Sequence, residues 1–246
     1  MEHLVQHAVT TIHERYGEAL SLDDLARTAM VSKYHFLRQF TRVTGVTPGR
    51  FLNAVRLQEA KRLLRTTPLT VADIAVRVGY SSAGSFTRRF TEAVALSPTG
   101  YRALSRTPRT PRTAVPAPAG GAARPARCGA VGGVLHPGDG AGPPVCVGAF
   151  AGPLVQGAPV CLADAGRSGR FHLPRVPEGT WYLHALAHPA VRARGRDTAT
   201  LLATAGPLEV RGGAAHRVDL TLCAPDWTRP PVLSALAGPG PHPLAA

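Results

Sequence analysis

A pattern that runs from residue 21 to residue 48 is written again about fifty positions later, and this duplication limits the fold more than any other feature of the chain. Ser21-Leu22-Asp23-Asp24-Leu25-Ala26, followed by Tyr34-His35-Phe36-Leu37-Arg38-Gln39-Phe40, returns as Thr70-Val71-Ala72-Asp73-Ile74-Ala75, followed by Ser85-Phe86-Thr87-Arg88-Arg89-Phe90. Phe36, Arg38, Phe40 and Pro48 reappear as Phe86, Arg88, Phe90 and Pro98. A period of this length marks one supersecondary unit made twice.

Each copy reads as a helix, a tight turn and a basic second helix. Leu4, Val5, Ala8, Val9 and Ile12 keep helical spacing ahead of the first copy, and Gly17 ends that helix. Ser21 and Thr70 are good N-caps, and Asp23, Asp24 and Asp73 put negative charge where a helix dipole favours it. Ser32 and Ser82 cap the second helices, which stop near Gly45 and Ala93. Between the copies, Pro48 opens a long helix that carries Phe51, Leu52, Val55, Ala60, Leu63 and Leu64 and ends near Thr66-Thr67-Pro68. One helix of that length would hold the two units at a fixed separation.

Composition then changes twice. Residues 105–127 are rich in Pro, Ala, Arg and Thr without apolar periodicity, as in an extended linker. Residues 128–223 carry short apolar runs between Gly and Pro breaks: 131–135, 145–150, 160–162, 170–173, 180–187, 201–203, 208–210 and 216–222. His216 to Leu222 alternates polar and apolar, the mark of a half-buried strand. The expected architecture is therefore multidomain, α then β: an all-α domain over 1–104, then a β-sandwich of about seven strands. Residues 224–246 read as a poorly ordered Pro-rich tail.

Charge narrows the partners. The formal net charge is +13; residues 1–113 hold 17 Lys+Arg against 8 Asp+Glu, and residues 114–246 hold 11 against 7. The positive field sits mostly on the duplicated part and favours a polyanion. Only Lys33 and Lys61 are lysines, so part of the arginine count reflects coding bias. There is no apolar run of spanning length and no apolar leader at Met1-Glu2-His3, so a cytoplasmic, membrane-free protein is expected. Cys128, Cys146, Cys161 and Cys223 form no CxxC pair and read as small buried side chains. His172, His184, His188 and His216 have no acid at ligand spacing and read as surface residues, so no metal and no cofactor is expected. With no GxSxG, HExxH or phosphate loop, the chain does not read as an enzyme; the runner-up is a hydrolase within 128–223.

The stretch Asp73-Ile74-Ala75-Val76-Arg77-Val78-Gly79-Tyr80-Ser81-Ser82, continuing Phe86-Thr87-Arg88-Arg89-Phe90 and ending Ser97-Pro98-Thr99-Gly100-Tyr101-Arg102, resembles the DNA-binding domain of AraC-type transcription regulators. Leu52 to Leu64 looks like that family's connecting helix. The resemblance covers about Leu4 to Leu104 and implies a double helix-turn-helix. By resemblance, Tyr34, Leu37, Arg38, Ala83, Gly84, Thr87 and Arg88 face base edges. The residues themselves allow this: Phe36, Phe40, Phe86 and Phe90 mark buried stripes, leaving Lys33, Tyr34, Leu37, Arg38 and Thr41 on other faces of one helix and Ala83, Gly84, Ser85, Thr87 and Arg88 on the other. Arg38 can give two parallel hydrogen bonds to guanine, and Tyr34 and Leu37 can meet thymine methyls. Ser32, Lys33, Arg42, Ser82, Arg89 and Arg102 are the candidate phosphate contacts; for Arg42, Arg50, Arg89 and Arg102 an internal ion pair to Asp24 or Asp73 stands as the equal alternative. Ala83 and Gly84 are short where such readers often carry longer polar groups, so Ser85, Thr87 and Arg88, or shape and phosphate readout, would carry the second unit.

The expected function is sequence-specific regulation of transcription on double-stranded DNA across two adjacent major grooves, with RNA polymerase as a further partner. The alternative is a non-specific architectural binder. Gly169-Arg170-Phe171 and Val176-Pro177-Glu178-Gly179-Thr180-Trp181-Tyr182 resemble a pattern of transthyretin-like, carboxypeptidase-regulatory-like β-sandwich modules. That resemblance implies a non-catalytic domain, here a sensor of a small effector, a self-association module or a passive cap, with Glu178-Gly179 turning between two strands.

Overall fold

The computed structural model describes residues 2–106, 127–136, 145–165, 168–187, 201–224 and 226–235. Most of the proposed linker, His188 and the end of the tail lie outside them. The described chain forms two compact units, one helical and one of β-strands.

The helical unit contains α1 (Glu2–Arg15), α2 (Leu22–Thr28), α3 (Lys33–Thr44), α4 (Pro48–Thr66), α5 (Val71–Arg77), α6 (Ala83–Val94) and α7 (Pro98–Arg106). The duplication holds down to single hydrogen bonds. The Ser21 hydroxyl accepts from Asp24 N at 3.1 Å, and the Asp24 carboxylate accepts back from Ser21 N at 3.0 Å. Thr70 and Asp73 repeat this at 3.1 and 3.2 Å. Two capping boxes thus start α2 and α5 and satisfy amide groups that helix geometry leaves open. Hydrogen bonding to Ser21 holds the Asp24 carboxyl below its ordinary range, and Arg27 adds to this.

The core repeats as well. Phe36 packs tilted against Phe40 at 5.6 Å, and Phe40 meets Phe51 edge-on at 5.6 Å. Fifty residues on, Phe86 packs tilted against Phe90 at 5.5 Å and Phe90 meets Tyr101 edge-on at 5.8 Å. The helix terminators repeat only in shape. Gly45 closes α3 at φ +75°, while the non-glycine Ala95 closes α6 at φ +68°. At the turn between α5 and α6, Gly79 sits at φ +84°, and a Cβ there would lie 3.0 Å from the Gly17 carbonyl oxygen and 2.9 Å from the Arg56 guanidinium. That guanidinium donates to the Tyr16 and Glu18 carbonyls, both at 2.7 Å, and pins the end of α1 to α4.

The β unit holds β1 (Cys128–His136), β2 (Val145–Phe150), β3 (Cys161–Ala165), β4 (Arg170–Pro177), β5 (Gly179–Ala187), β6 (Leu201–Val210), β7 (Ala215–Arg217) and β8 (Leu220–Thr221). One sheet runs β4-β1-β7, with β8 also on β1, and the other runs β3-β2-β5-β6. Val131, Leu173, Val176 and Leu220 of the first share one core with Val147, Leu183, Ala185 and Val210 of the second. This is the expected sandwich, with three differences in detail. The runs at 201–203 and 208–210 are one strand, because Gly206 at φ +138° carries the chain through an irregularity that keeps Ala205 opposite Leu183 and Leu208 opposite Trp181. The run at 216–222 is two short strands, because Asp219 Oδ1 takes the Val134 amide at 2.9 Å where a backbone carbonyl would continue the ladder. Glu178-Gly179 does turn between strands, but between sheets: β4 pairs with β1 while β5 pairs with β2 and β6.

Two expectations for single residues also change. His184 is a buried residue, not a surface one; its ring nitrogens lie 3.0 Å from Thr204 Oγ1 and from the Gly152 carbonyl, which satisfies them without water. Of the cysteines, Cys146 is buried but Cys223 is exposed.

The largest difference lies at 226–235. The sequence reads there as a loose tail, yet Asp226–Ala235 belongs to the helical unit. Leu233 enters the core formed by Leu57, Leu64, Ile74, Phe90, Val94 and Tyr101. Ala235 N donates to the Val94 carbonyl at 3.1 Å. Proline content alone does not prevent order when an apolar side chain and a backbone donor both find partners.

Candidate nucleic-acid interface

α3 and α6 each bury one stripe and present another. Phe36 and Phe40, and Phe86 and Phe90, are inside. On α3, Lys33, Tyr34, Arg38 and Arg42 are exposed, while Leu37 and Thr41 are half-buried. Tyr34 keeps 75% of its surface open, an unusual exposure for an aromatic side chain. Lys33 Nζ stands 5.9 Å from the Tyr34 ring and 3.6 Å from Asp23 Oδ1. Among the described residues no acid pairs with Arg38 or Arg42, so this face presents unshared positive charge.

The α6 face differs. Ala83, Gly84, Arg88 and Arg89 are exposed, with Thr87 and Ser85 half-buried. Ala83, Gly84, Thr87, Arg88, Thr91 and Glu92 line one shallow open concavity. A Cβ on Gly84 would meet nothing within 4 Å, so the floor is bare. Arg88 is shared with Glu92 at 3.4 Å, both well exposed. The Ser85 hydroxyl donates to the Ser82 carbonyl at 3.0 Å and lies 3.0 Å from Ser82 Oγ. Its first use is thus to close the helix N-terminus rather than to reach outward. Ser32 and Ser82 accept from His35 N and Ser85 N as N-caps.

The candidate phosphate contacts divide. Arg42 and Arg89 are exposed on the two second helices. Arg102 is spent inside: its Nε donates to the Leu64 carbonyl at 3.1 Å and its guanidinium to the Leu69 carbonyl at 2.6 Å. These two bonds close the end of α4 against α7. Among the described residues Asp24 bonds Ser21 and pairs with Arg27, and Asp73 bonds Thr70. Sequence reading missed Glu92, although an acid four residues after Arg88 on one helix was a readable signal. It missed Arg56 and Lys61 because their partners are backbone carbonyls, which no side-chain pattern reveals.

A helix-turn-helix domain family model matches residues 25–104. The chain is similar to the transposon Tn10 TetD protein of Escherichia coli, 36% identical over 99 residues that cover 40% of this chain and 72% of that protein. It is also similar to the HTH-type transcriptional activator AarP of Providencia stuartii, 33% identical over 99 residues, 40% of this chain and 73% of that protein. The chain belongs to the AraC-type helix-turn-helix regulators. A solved DNA-binding domain of AdpA in complex with a target DNA is 31% identical, covering 42% of this chain and 92% of that one at a TM-score of 0.41. As an AraC-type protein, the chain is a sequence-specific DNA-binding transcription regulator and not an enzyme. No helix among the described residues is long and apolar enough to cross a membrane.

Proposed function

We propose that this AraC-type regulator reads two adjacent major grooves on one face of a duplex, α3 in one and α6 in the next. The observation that carries the reading is the pair of matched helices, each with its aromatic stripe buried and an arginine at the same place on the open face, Arg38 and Arg88. Successive grooves on one face lie about 34 Å apart. α4, with 19 residues, is roughly 28 Å long at 1.5 Å per residue, a spacer of the right order.

In this reading Tyr34, Leu37 and Arg38 supply most of the base discrimination, with Arg38 bidentate to guanine. Ala83, Gly84, Thr87 and Arg88 follow the second groove as a shallow, adaptable surface, with Ser85 as the N-terminal brace beside them. Ser32, Lys33, Arg42, Ser82 and Arg89 hold phosphates and set the register. The β unit is a sensing or self-association module related to transthyretin-like sandwiches, and RNA polymerase is the further partner of the DNA-bound form. A DNA target supports a cytoplasmic setting for this reading.

Selection of bound duplexes from a random pool tests the reading: one asymmetric site with two half-sites a helical turn apart is expected. Arg38→Ala should then cost roughly 1–3 kcal/mol and relax preference at one base pair. Equal competition by random duplex would instead leave the architectural alternative.

A further inference from the structure

Lys61 is 0% exposed, and no carboxylate meets it among the described residues. Its Nζ donates to the carbonyls of Val232 and Leu233, both at 3.1 Å, and lies 5.8 Å from the Tyr101 ring. An ammonium taken out of water is costly unless its donors are met. Here the acceptors come from a segment that lies far away along the chain. The same segment places Leu233 in the core at 1% exposure and bonds Ala235 N to the last turn of α6. Its start is fixed locally, with Asp226 Oδ1 accepting from Thr228 N at 2.8 Å. Pro230-Pro231 then favours an extended backbone, which lowers the entropy lost on seating.

These are the parts of a peptide-recognition site: an apolar socket for one anchor, a cation for two successive carbonyls, and a helix-end carbonyl for one amide. We infer that the second helix-turn-helix unit carries a peptide-binding site, centred on Lys61, Val94 and Tyr101, whose ligand is the chain's own segment Asp226–Ala235. The seated segment makes the β unit an insertion between two parts of the helical unit, tethered at both of its ends. It also braces α6 at Val94, and this effect on DNA rests on the assignment of α6 as a reader.

The site is tested in the full chain. Leu233→Asp removes the anchor and opens the socket. A fluorescein-labelled synthetic peptide of residues 226–235 should bind the L233D chain at least tenfold tighter than the wild-type chain, whose socket is filled in cis. A peptide carrying the same Leu233→Asp change should not bind. Equal binding by both chains, or none by a L233D chain with wild-type circular dichroism, overturns the site. Should L233D fail to fold, hydrogen exchange in the wild-type chain decides: the Ala235 amide should be protected like the core of α6, and exchange at the random-coil rate overturns the site. Affinity of L233D for a selected duplex should fall roughly five- to tenfold; unchanged affinity overturns the brace on α6. Peptide binding needs no DNA, so loss of selectivity in the wild-type chain would sink the groove-reading model and leave the socket intact.

Discussion

The proposed reading faces of α3 and α6 differ in charge at one matched position, and that position sets the outcome of a substitution. Arg38 and Arg42 occupy α3 where Arg88 and Glu92 occupy α6, fifty positions on. Glu92 sets a negative charge 3.4 Å from Arg88, in the face proposed to meet the duplex. Glu92→Gln should free Arg88 and raise affinity for random duplex roughly two- to fivefold, more than for the selected site, so discrimination narrows. Filter or fluorescence competition at fixed salt measures both, and salt must be held fixed because phosphate contacts dominate its slope. Ala95 bears a different strain. At φ +68° a Cβ meets its own backbone, a cost that the matching Gly45 avoids. Ala95→Gly should stabilise the helical unit by about 1 kcal/mol, read as a higher thermal midpoint with DNA affinity unchanged.

Elements differ in how far they can be foreseen. Helices α2 to α6 were legible because their start signals are local: Ser21, Ser32, Thr47, Thr70 and Ser82 each cap a neighbour three residues on. The open faces of α3 and α6 were legible for the same reason, since Phe36, Phe40, Phe86 and Phe90 fix the rotation of each helix. Strand ends were harder. Gly206-Pro207 looks like a break and is absorbed within β6, while Val218-Asp219 looks continuous and is a break. Pairing decides such ends, and pairing is not a local property. Gly133 shows how tightly: a Cβ there would stand 1.9 Å from the Val218 carbonyl oxygen. Gly133→Ala should cost at least about 1–3 kcal/mol in the β unit, because backbone rather than a mobile side chain must yield. Denaturant unfolding checks this, with the helical signal as the internal control. The bonds of Arg102 were hidden for a related reason: its acceptors are the Leu64 and Leu69 carbonyls near the end of α4, which no side-chain pattern reveals.

At the scale of the whole molecule, Lys61 ties stability to pH. Burial, with a smaller push from Arg65, brings its ammonium from 10.5 down to about 7. The unfolded chain keeps that proton up to its ordinary range, so between about pH 7 and 10 the unfolded state binds more protons than the native one. Unfolding free energy therefore rises with pH across this window, by up to about 1.4 kcal/mol per unit, and the contribution of this group levels off below it. Denaturant titrations of the helical signal at both ends of the window should show the rise. Lys61→Met should flatten it.

Order of synthesis gives the buried lysine one more consequence. Both helix-turn-helix units leave the ribosome while the residues that supply the Val232 and Leu233 carbonyls have yet to be translated. Through that interval the newborn reader exposes a vacant cationic cleft, and a later-made stretch of its own chain must win that cleft from any neighbouring nascent chain.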